Sequence, residues 1–359
     1  MDKSENVCPL LKNPGVYNPD TIDLVNDTKE RKYWLPCLAN MVKKFVGKAS
    51  FLNPDYPEAA ESAEICFQKF HELVVKAVED PSILEPLSIR TLLEFNEDNL
   101  QANNFKDAWY TQKVSESSAA LKEFKDRIDF IDSIADFEAR WLEIVTGVLA
   151  GNVFDWGSTV VADILETSTN FGFTQAMSTI EKRPWFRDNL DNWIDRIKKE
   201  SYKEAVIFVD NAGVDFILGI LPLVREFLKQ NTRVILTGNT SPALNDVTYD
   251  ELKLYSQEAA KNCPIIEKAI NTDQLVMVEN GQKGPCLDLA NLSPVLELCQ
   301  VMTSADLVVL EGMGRAVHTN LYAKFTVDSV KLAVLKNEWL AKSLGGQQFS
   351  VIFNYETAT

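Results

Sequence analysis

Histidine is nearly absent: the 359 residues contain two, His71 and His318. A zinc site built on several histidines is therefore excluded, and carboxylates become the candidate metal ligands and bases. The six cysteines (Cys8, Cys37, Cys66, Cys263, Cys286, Cys299) form no CxxC pair and no regular spacing. Scattered thiols of this kind belong to a reduced compartment, so a cytoplasmic location is expected. No run of eighteen apolar residues occurs, and the opening MDKSENVCPLLKNPG lacks an apolar leader core, which leaves transmembrane and secretory readings without support. Positive charge is also short, with 36 Lys and Arg against 52 Asp and Glu and a net charge of −16. Nucleic acid and anionic membranes need a basic face, so neither is expected as a partner. A phosphorylated ligand would need a local pocket of metal, Arg, Lys or backbone amides.

What is present is a globular composition, 46% hydrophobic, with no internal repeat. Over residues 20–199 the apolar periodicity is helical, clearest at 59–77, 113–130 and 137–150, and no strand is expected there. Breaks fall at Asn53-Pro54, Asp80-Pro81, Asn103-Asn104 and Arg183-Pro184. An amphipathic helix over 192–203 leads into a different pattern, in which strand, loop and helix alternate. Strands are expected at 206–209, 233–237, 274–278, 307–310 and 349–354, with helices at 215–229, 249–261, 292–302 and 326–344. This alternation predicts an α/β sandwich with a mostly parallel sheet. The expected division is a helical amino-terminal region, 1–190, and an α/β core, 191–359.

Three apolar runs end abruptly in polar segments: VIFV in Asp210-Asn211-Ala212-Gly213, VILT in Gly238-Asn239-Thr240, and LVVL in Glu311-Gly312-Met313-Gly314-Arg315. Open parallel sheets bind ligands beyond the carboxyl ends of their strands, so these segments should line the crevice. Asp246 precedes a capping box, Thr248-x-x-Glu251, and so stands between a strand end and a helix start. A single Asp or Asn after a strand is commonly a turn former or a cap. Asp210, Asn211 and Asp246 beyond adjacent strand ends instead form a set of hard oxygen donors suited to Mg²⁺ or Mn²⁺. The loop of Glu311, Gly312, Met313, Gly314 and Arg315 can offer amides and a guanidinium fork to an anion. Upstream, a helix is expected to end at Gly151, leaving Asn152 and Asp155 either to cap the next helix or to face the crevice. His318 has no evident partner and reads as structural.

VIFVDNAG, GNTSPALNDVT, LVVLEGMGR and the tail KLAVLKNEWLAKSLGGQQFSVIFNYE, with AGNVFDWG upstream, together resemble the damage-control phosphatase family, in its subfamily marked by EGMGR. The resemblance runs from about residue 142 to 355 and is more general before that. It implies a Rossmann-like three-layer α/β/α core with a mostly parallel sheet, preceded by a largely helical region. It also implies a divalent metal cofactor (Mn²⁺, Ni²⁺, Co²⁺ or Mg²⁺) on Asp210, Asn211 and Asp246, with Asp210 or Asp246 as base or nucleophile. Asn152 and Asp155, the loop from Glu311 to Arg315 and Lys336 would bind the substrate. On the expected helix 326–344, Lys331 rather than Lys336 lies on the apolar face, so Lys331 is the rival. The resemblance is to a stand-alone, plant-type member without the kinase domain of fused relatives. It implies hydrolysis of small phosphorylated metabolites such as sugar phosphates or phosphopantetheine derivatives, with the oligomeric state left open. The competing readings are an S-adenosylmethionine-dependent carboxyl methyltransferase, for which the Asp-Asn-Ala-Gly turn is poor in glycine, and a non-catalytic binding protein.

Overall fold

Among the described residues the strands are β1 (Arg187–Asp188), β2 (Glu204–Phe208), β3 (Arg233–Gly238), β4 (Leu275–Glu279), β5 (Leu307–Glu311), β6 (Asp328–Val334) and β7 (Val351–Glu356). In the computed structural model, which describes residues 6–153, 172–292 and 296–358, they form one sheet in the order β1-β7-β6-β5-β2-β3-β4. From β6 through β4 every neighbouring pair is parallel, and β7 returns antiparallel to β6. The helices are α1 (Thr28–Leu52), α2 (Ala59–Glu79), α3 (Ile89–Ala102), α4 (Tyr110–Ser133), α5 (Phe137–Val153), α6 (Phe173–Thr179), α7 (Leu190–Lys199), α8 (Leu221–Lys229), α9 (Tyr249–Ala260), α10 (Pro264–Asn271), α11 (Leu296–Val301) and α12 (Glu338–Ser343).

The side-chain period of two divides each strand between two cores. Val206 and Phe208 of β2, with Val308 and Leu310 of β5, pack with Trp34, Leu38 and Val42 of α1 and Leu92 of α3. Ala205, Ile207 and Val209 join Ile144 and Val148 of α5, Trp193 of α7 and Phe227 of α8 on the opposite face. Both faces of β2 and β5 are thus covered, which is why these strands read as unbroken apolar runs. Each such buried Val, Ile, Leu or Phe contributes about 1.5–3 kcal/mol. At the start of α1, Asp27 accepts from the amides of Lys29 and Glu30 at 2.8 and 3.0 Å. The expected capping box at Thr248 and Glu251 is present.

Four expectations need correction. The region before residue 200 does contain a strand, the two-residue β1, paired to β7. The helix expected over 192–203 stops at Lys199, and the one ending at Gly151 continues to Val153, which places Asn152 inside α5. The helix expected over 326–344 is instead β6, a turn and α12. All seven residues of β6 are buried; Val330, Leu332 and Val334 alternate with Ser329, Lys331 and Ala333, a period of two that marks a strand and that the apolar residues continuing to Leu344 obscure in the sequence. The Nζ of Lys331 lies buried, donating to the carbonyls of Leu321 and Ala323 at 3.1 and 2.6 Å. The helix expected over 292–302 is described from Leu296 onward, as α11.

After β2 the chain builds β3 and β4 on one side and then crosses to β5 on the other. The carboxyl ends of β2 and β5 therefore flank the switch point at which open α/β sheets place their ligand crevice. No helix among the described residues is long and apolar enough to cross a membrane.

Candidate active site

Asp210 and Asn211 follow β2 directly, and the backbone ties them to the segment carrying Asp246. Ala212 N donates to Asn245 O at 2.9 Å and Val247 N to Asp210 O at 3.0 Å, so that Asn211 and Asp246 pair across an isolated bridge. The convergence expected from sequence is thus built from main-chain bonds.

From the neighbouring strand, Glu311 ends β5 and accepts the Asp210 amide on Oε2 at 2.8 Å. Asn152 reaches in from α5, its Nδ2 donating to Glu311 Oε1 at 2.8 Å and to Asp210 Oδ2 at 3.2 Å. A further carboxylate, Asp215, was not anticipated. It opens a π-helical turn (Asp215–Ile220) and accepts from Asn211 N and Nδ2 at 3.2 and 2.9 Å. A second π-helical turn, Gly314–His318, follows β5; such turns recur at functional sites. Two close approaches demand glycine. Gly312 has φ +93°, and a Cβ there would fall within the Asp210 carboxylate. At Gly151 a Cβ would lie 2.9 Å from Asp215 Oδ1.

Arg315, 1% exposed, spans two carboxylates: Nη1 donates to Asp210 Oδ1, and Nη2 donates to Asp246 Oδ2 at 2.8 Å and to Asn239 Oδ1 at 3.0 Å. Asn239, in the polar segment that follows β3, donates its Nδ2 to Asp246 Oδ2 at 3.0 Å. Lys336 stands in the turn after β6, where Lys336 N donates to Met313 Sδ at 3.1 Å.

Four buried carboxylates, Asp210, Asp215, Asp246 and Glu311, thus gather with two cations, Arg315 and Lys336. Burial, reinforced by the charges of Asp215 and Asp210, holds Glu311 well above the ordinary carboxylate range. Burial and then Asp210 push Asp215 up to about 7. On Arg315 burial opposes the charge, but Asp246 and Asp210 outweigh it and raise the pKa. One oxygen each of Asp210, Asp215 and Glu311 lies within 4.8 Å of the others, an acidic triad able to hold a metal ion. Hard oxygen donors in excess of positive charge fit a divalent cation, which would relieve the repulsion among them.

A cavity of about 340 Å³ opens above this network. Asp210, Asn211 and Asp246 line it together with Lys336, whereas Asp215, Glu311, Asn152 and Arg315 lie behind that lining. Its wall is largely apolar and comes from α1 and α3 through Tyr33, Trp34, Met41 and Leu93.

The expected residues therefore separate into groups. Asp210, Asn211 and Asp246 converge as expected. Arg315 does not hold its fork open to an anion, because both arms are engaged by Asp210 and Asp246. Gly312 N donates to Leu332 O at 3.0 Å, so that amide serves the sheet; Met313 and Gly314 do line the cavity. Asn152 lies inside α5 and is bonded to carboxylates, while Asp155 lies outside the described residues. Lys336 lines the cavity and Lys331 does not, because the segment is a strand followed by a turn. His318 packs edge-on against Trp34 at 5.3 Å. Asp215 was legible only as an acid opening the apolar run FILGILPLV, where a helix dipole would equally favour it.

Residues 34–352 match the family described as the damage-control phosphatase ARMT1-like domain. The chain is 40% identical to the 4'-phosphopantetheine phosphatase of Mus musculus over 98% of its own length and 48% of the mouse protein, so it spans about half of that relative. It is 33% identical to a damage-control phosphatase of Arabidopsis thaliana, over 90% of this chain and 87% of that one. Its fold is similar to that of a DUF89-family protein from Pyrococcus horikoshii, with a TM-score of 0.62 at 17% identity, covering 90% of this chain and 97% of the other. With a family match across most of its length and an Arabidopsis relative covered almost throughout, this chain belongs to the damage-control phosphatase family.

Proposed function

We propose that the chain hydrolyses phosphomonoesters of small metabolites in the cavity above Asp210, with a divalent metal held by Asp210, Asn211 and Asp246. The observation that carries this reading is the division of the acidic network. Three hard donors line the cavity, and Asp215, Glu311 and Asn152 stand behind them. Asp215 takes the Nδ2 of Asn211, which leaves Asn211 Oδ1 as its donor atom for a cation. Glu311 and Asn152 fix Asp210 through its amide and its Oδ2. When bound, the metal supplies Lewis-acid polarisation of a phosphoryl oxygen and lowers the pKa of a bound water.

The chain's own residues do the rest. Lys336, at the cavity wall, offsets charge on the phosphate oxygens, while Arg315 holds Asp210 and Asp246 at a fixed separation. One of the cavity-facing carboxylates, Asp210 or Asp246, acts as base or nucleophile. The largely apolar wall suits an arm less polar than a sugar, and the mouse relative's name points to 4'-phosphopantetheine as the first substrate to test.

The test is release of inorganic phosphate from 4'-phosphopantetheine and a panel of sugar phosphates. The protein is first stripped with a chelator, and Mg²⁺, Mn²⁺, Co²⁺ or Ni²⁺ is then restored in turn. Release that depends on the restored ion is expected. No release from any phosphomonoester with any of the four ions would refute the reading.

A further inference from the structure

We propose that Tyr33, Asn337 and Gln348 form the subsite for the substrate's non-phosphate arm, and that it takes an uncharged chain bearing amides or hydroxyls and carrying a single phosphate; this rests on the phosphatase reading above. All three residues line the cavity away from the strand ends. Tyr33 comes from α1, whereas Asn337 and Gln348 come from the two sides of the excursion between β6 and β7. Asn337 Nδ2 donates to Tyr33 OH at 3.3 Å, and Gln348 Nε2 donates to Lys336 O at 2.9 Å. The arm-facing groups are therefore joined to the turn that carries the cavity's lysine.

The surrounding wall is fixed. Tyr33 stacks on Trp339 with ring centroids 4.3 Å apart and planes 11° apart. The indole nitrogens of Trp34 and Trp339 both donate to Glu30 Oε2 at 3.0 Å. A preorganised aromatic wall loses little side-chain entropy when an arm lies along it.

Charge sets the selectivity. Among the described lining residues Lys336 is the only Lys or Arg, against Asp210, Asp246 and Glu338. A second phosphate would find no further Lys or Arg among the described lining residues and would lose hydration with little compensation. The neutral polar groups of Tyr33 and Gln348 can instead exchange hydrogen bonds with amides and hydroxyls of an uncharged arm, while Asn337, whose Oδ1 accepts from Leu340 N at 2.9 Å, holds the Tyr33 hydroxyl in place.

The experiment compares Tyr33→Ala, Tyr33→Phe and Gln348→Ala with the wild-type chain, with metal supplied. KM for 4'-phosphopantetheine should rise about tenfold in the alanine variants and less in Tyr33→Phe. Inorganic phosphate should inhibit variants and wild type at the same concentration, and fructose 1,6-bisphosphate should remain a poor substrate throughout. Pantetheine, which lacks the phosphate, should bind the wild type and bind Tyr33→Ala about tenfold more weakly; calorimetry reads this whether or not turnover occurs. Absent turnover of every phosphomonoester by the wild type would remove the phosphatase reading alone. Equal binding of pantetheine by wild type and Tyr33→Ala would overturn the subsite, as would parallel loss of phosphate and pantetheine binding.

Discussion

Arg315 Nη2 donates to Asp246 Oδ2 at 2.8 Å across 69 residues of sequence. The same guanidinium donates to Asp210 through its other nitrogen, so one planar group sets the separation of two carboxylates that line the cavity. A lysine ammonium keeps the charge but cannot span both. Arg315→Lys should destabilise the fold by about 1–3 kcal/mol, since one buried carboxylate loses its donor, and should lower kcat/KM at least about tenfold. Urea unfolding and phosphate release check the two effects separately. A weakened fold with unchanged kcat/KM would confine Arg315 to packing.

Asn152 donates to both Asp210 and Glu311, which joins it to the acidic network. Asn152→Ala should therefore reduce kcat/KM for all substrates by a common factor, about 10–100-fold. A changed ranking among sugar phosphates and 4'-phosphopantetheine would show that Asn152 reaches the arm after all.

The strand ends were legible in the sequence because apolar runs stopping at Asp, Asn and Gly mark where buried strands leave the sheet. Asp210, Asn211 and Asp246 could be grouped from that pattern and the capping box at Thr248. Asp215 could not, because it follows Asp210 by five residues and its approach to Asn211 depends on a π-helical turn that no local propensity announces. Nor is β6 separated from the helix expected over 326–344, although Val330, Leu332 and Val334 alternate with Ser329, Lys331 and Ala333, because apolar residues continue through Leu335, Trp339 and Leu340 at spacings that also suit a helix. The expected helix puts Lys331 on its apolar face and so makes it the rival of Lys336; in the structure Lys336 lines the cavity. The engagement of Arg315 by two carboxylates is a tertiary fact, and spacing within EGMGR carries no trace of it.

Gly312 combines φ +93° with a Cβ position already occupied by the Asp210 carboxylate. Gly312→Ala must displace Asp210 or the backbone, so it should cost more than about 1 kcal/mol, the upper limit of the gain at a compatible position, and should abolish metal-dependent activity. Thermal unfolding with and without metal checks this. Wild-type metal affinity in that variant would mean that Asp210 can shift without consequence.

Glu97 supplies a pH test away from the cavity lining. Burial, eased by a hydrogen bond from Asn96 and reinforced by the charges of Asp246 and Asp107, pushes its carboxyl from 4.5 up to about 8. The folded chain therefore holds a proton that the unfolded chain has released between those values. The stability from this group is full below the unfolded pKa and is lost as pH rises through the folded one. Glu97→Gln, which remains neutral, should match the wild type near the lower value and exceed it in Tm above the higher one. Parallel Tm profiles for the two proteins would refute a protonated Glu97 in the folded state.

Divalent-ion titration of the wild-type chain and Asp210→Asn, followed in each by phosphate release from 4'-phosphopantetheine, tests the central claim most directly. One ion should bind per wild-type chain and support release, and the variant should lose both tight binding and release while keeping its fold. Full ion-dependent hydrolysis by Asp210→Asn would contradict the assignment of the site.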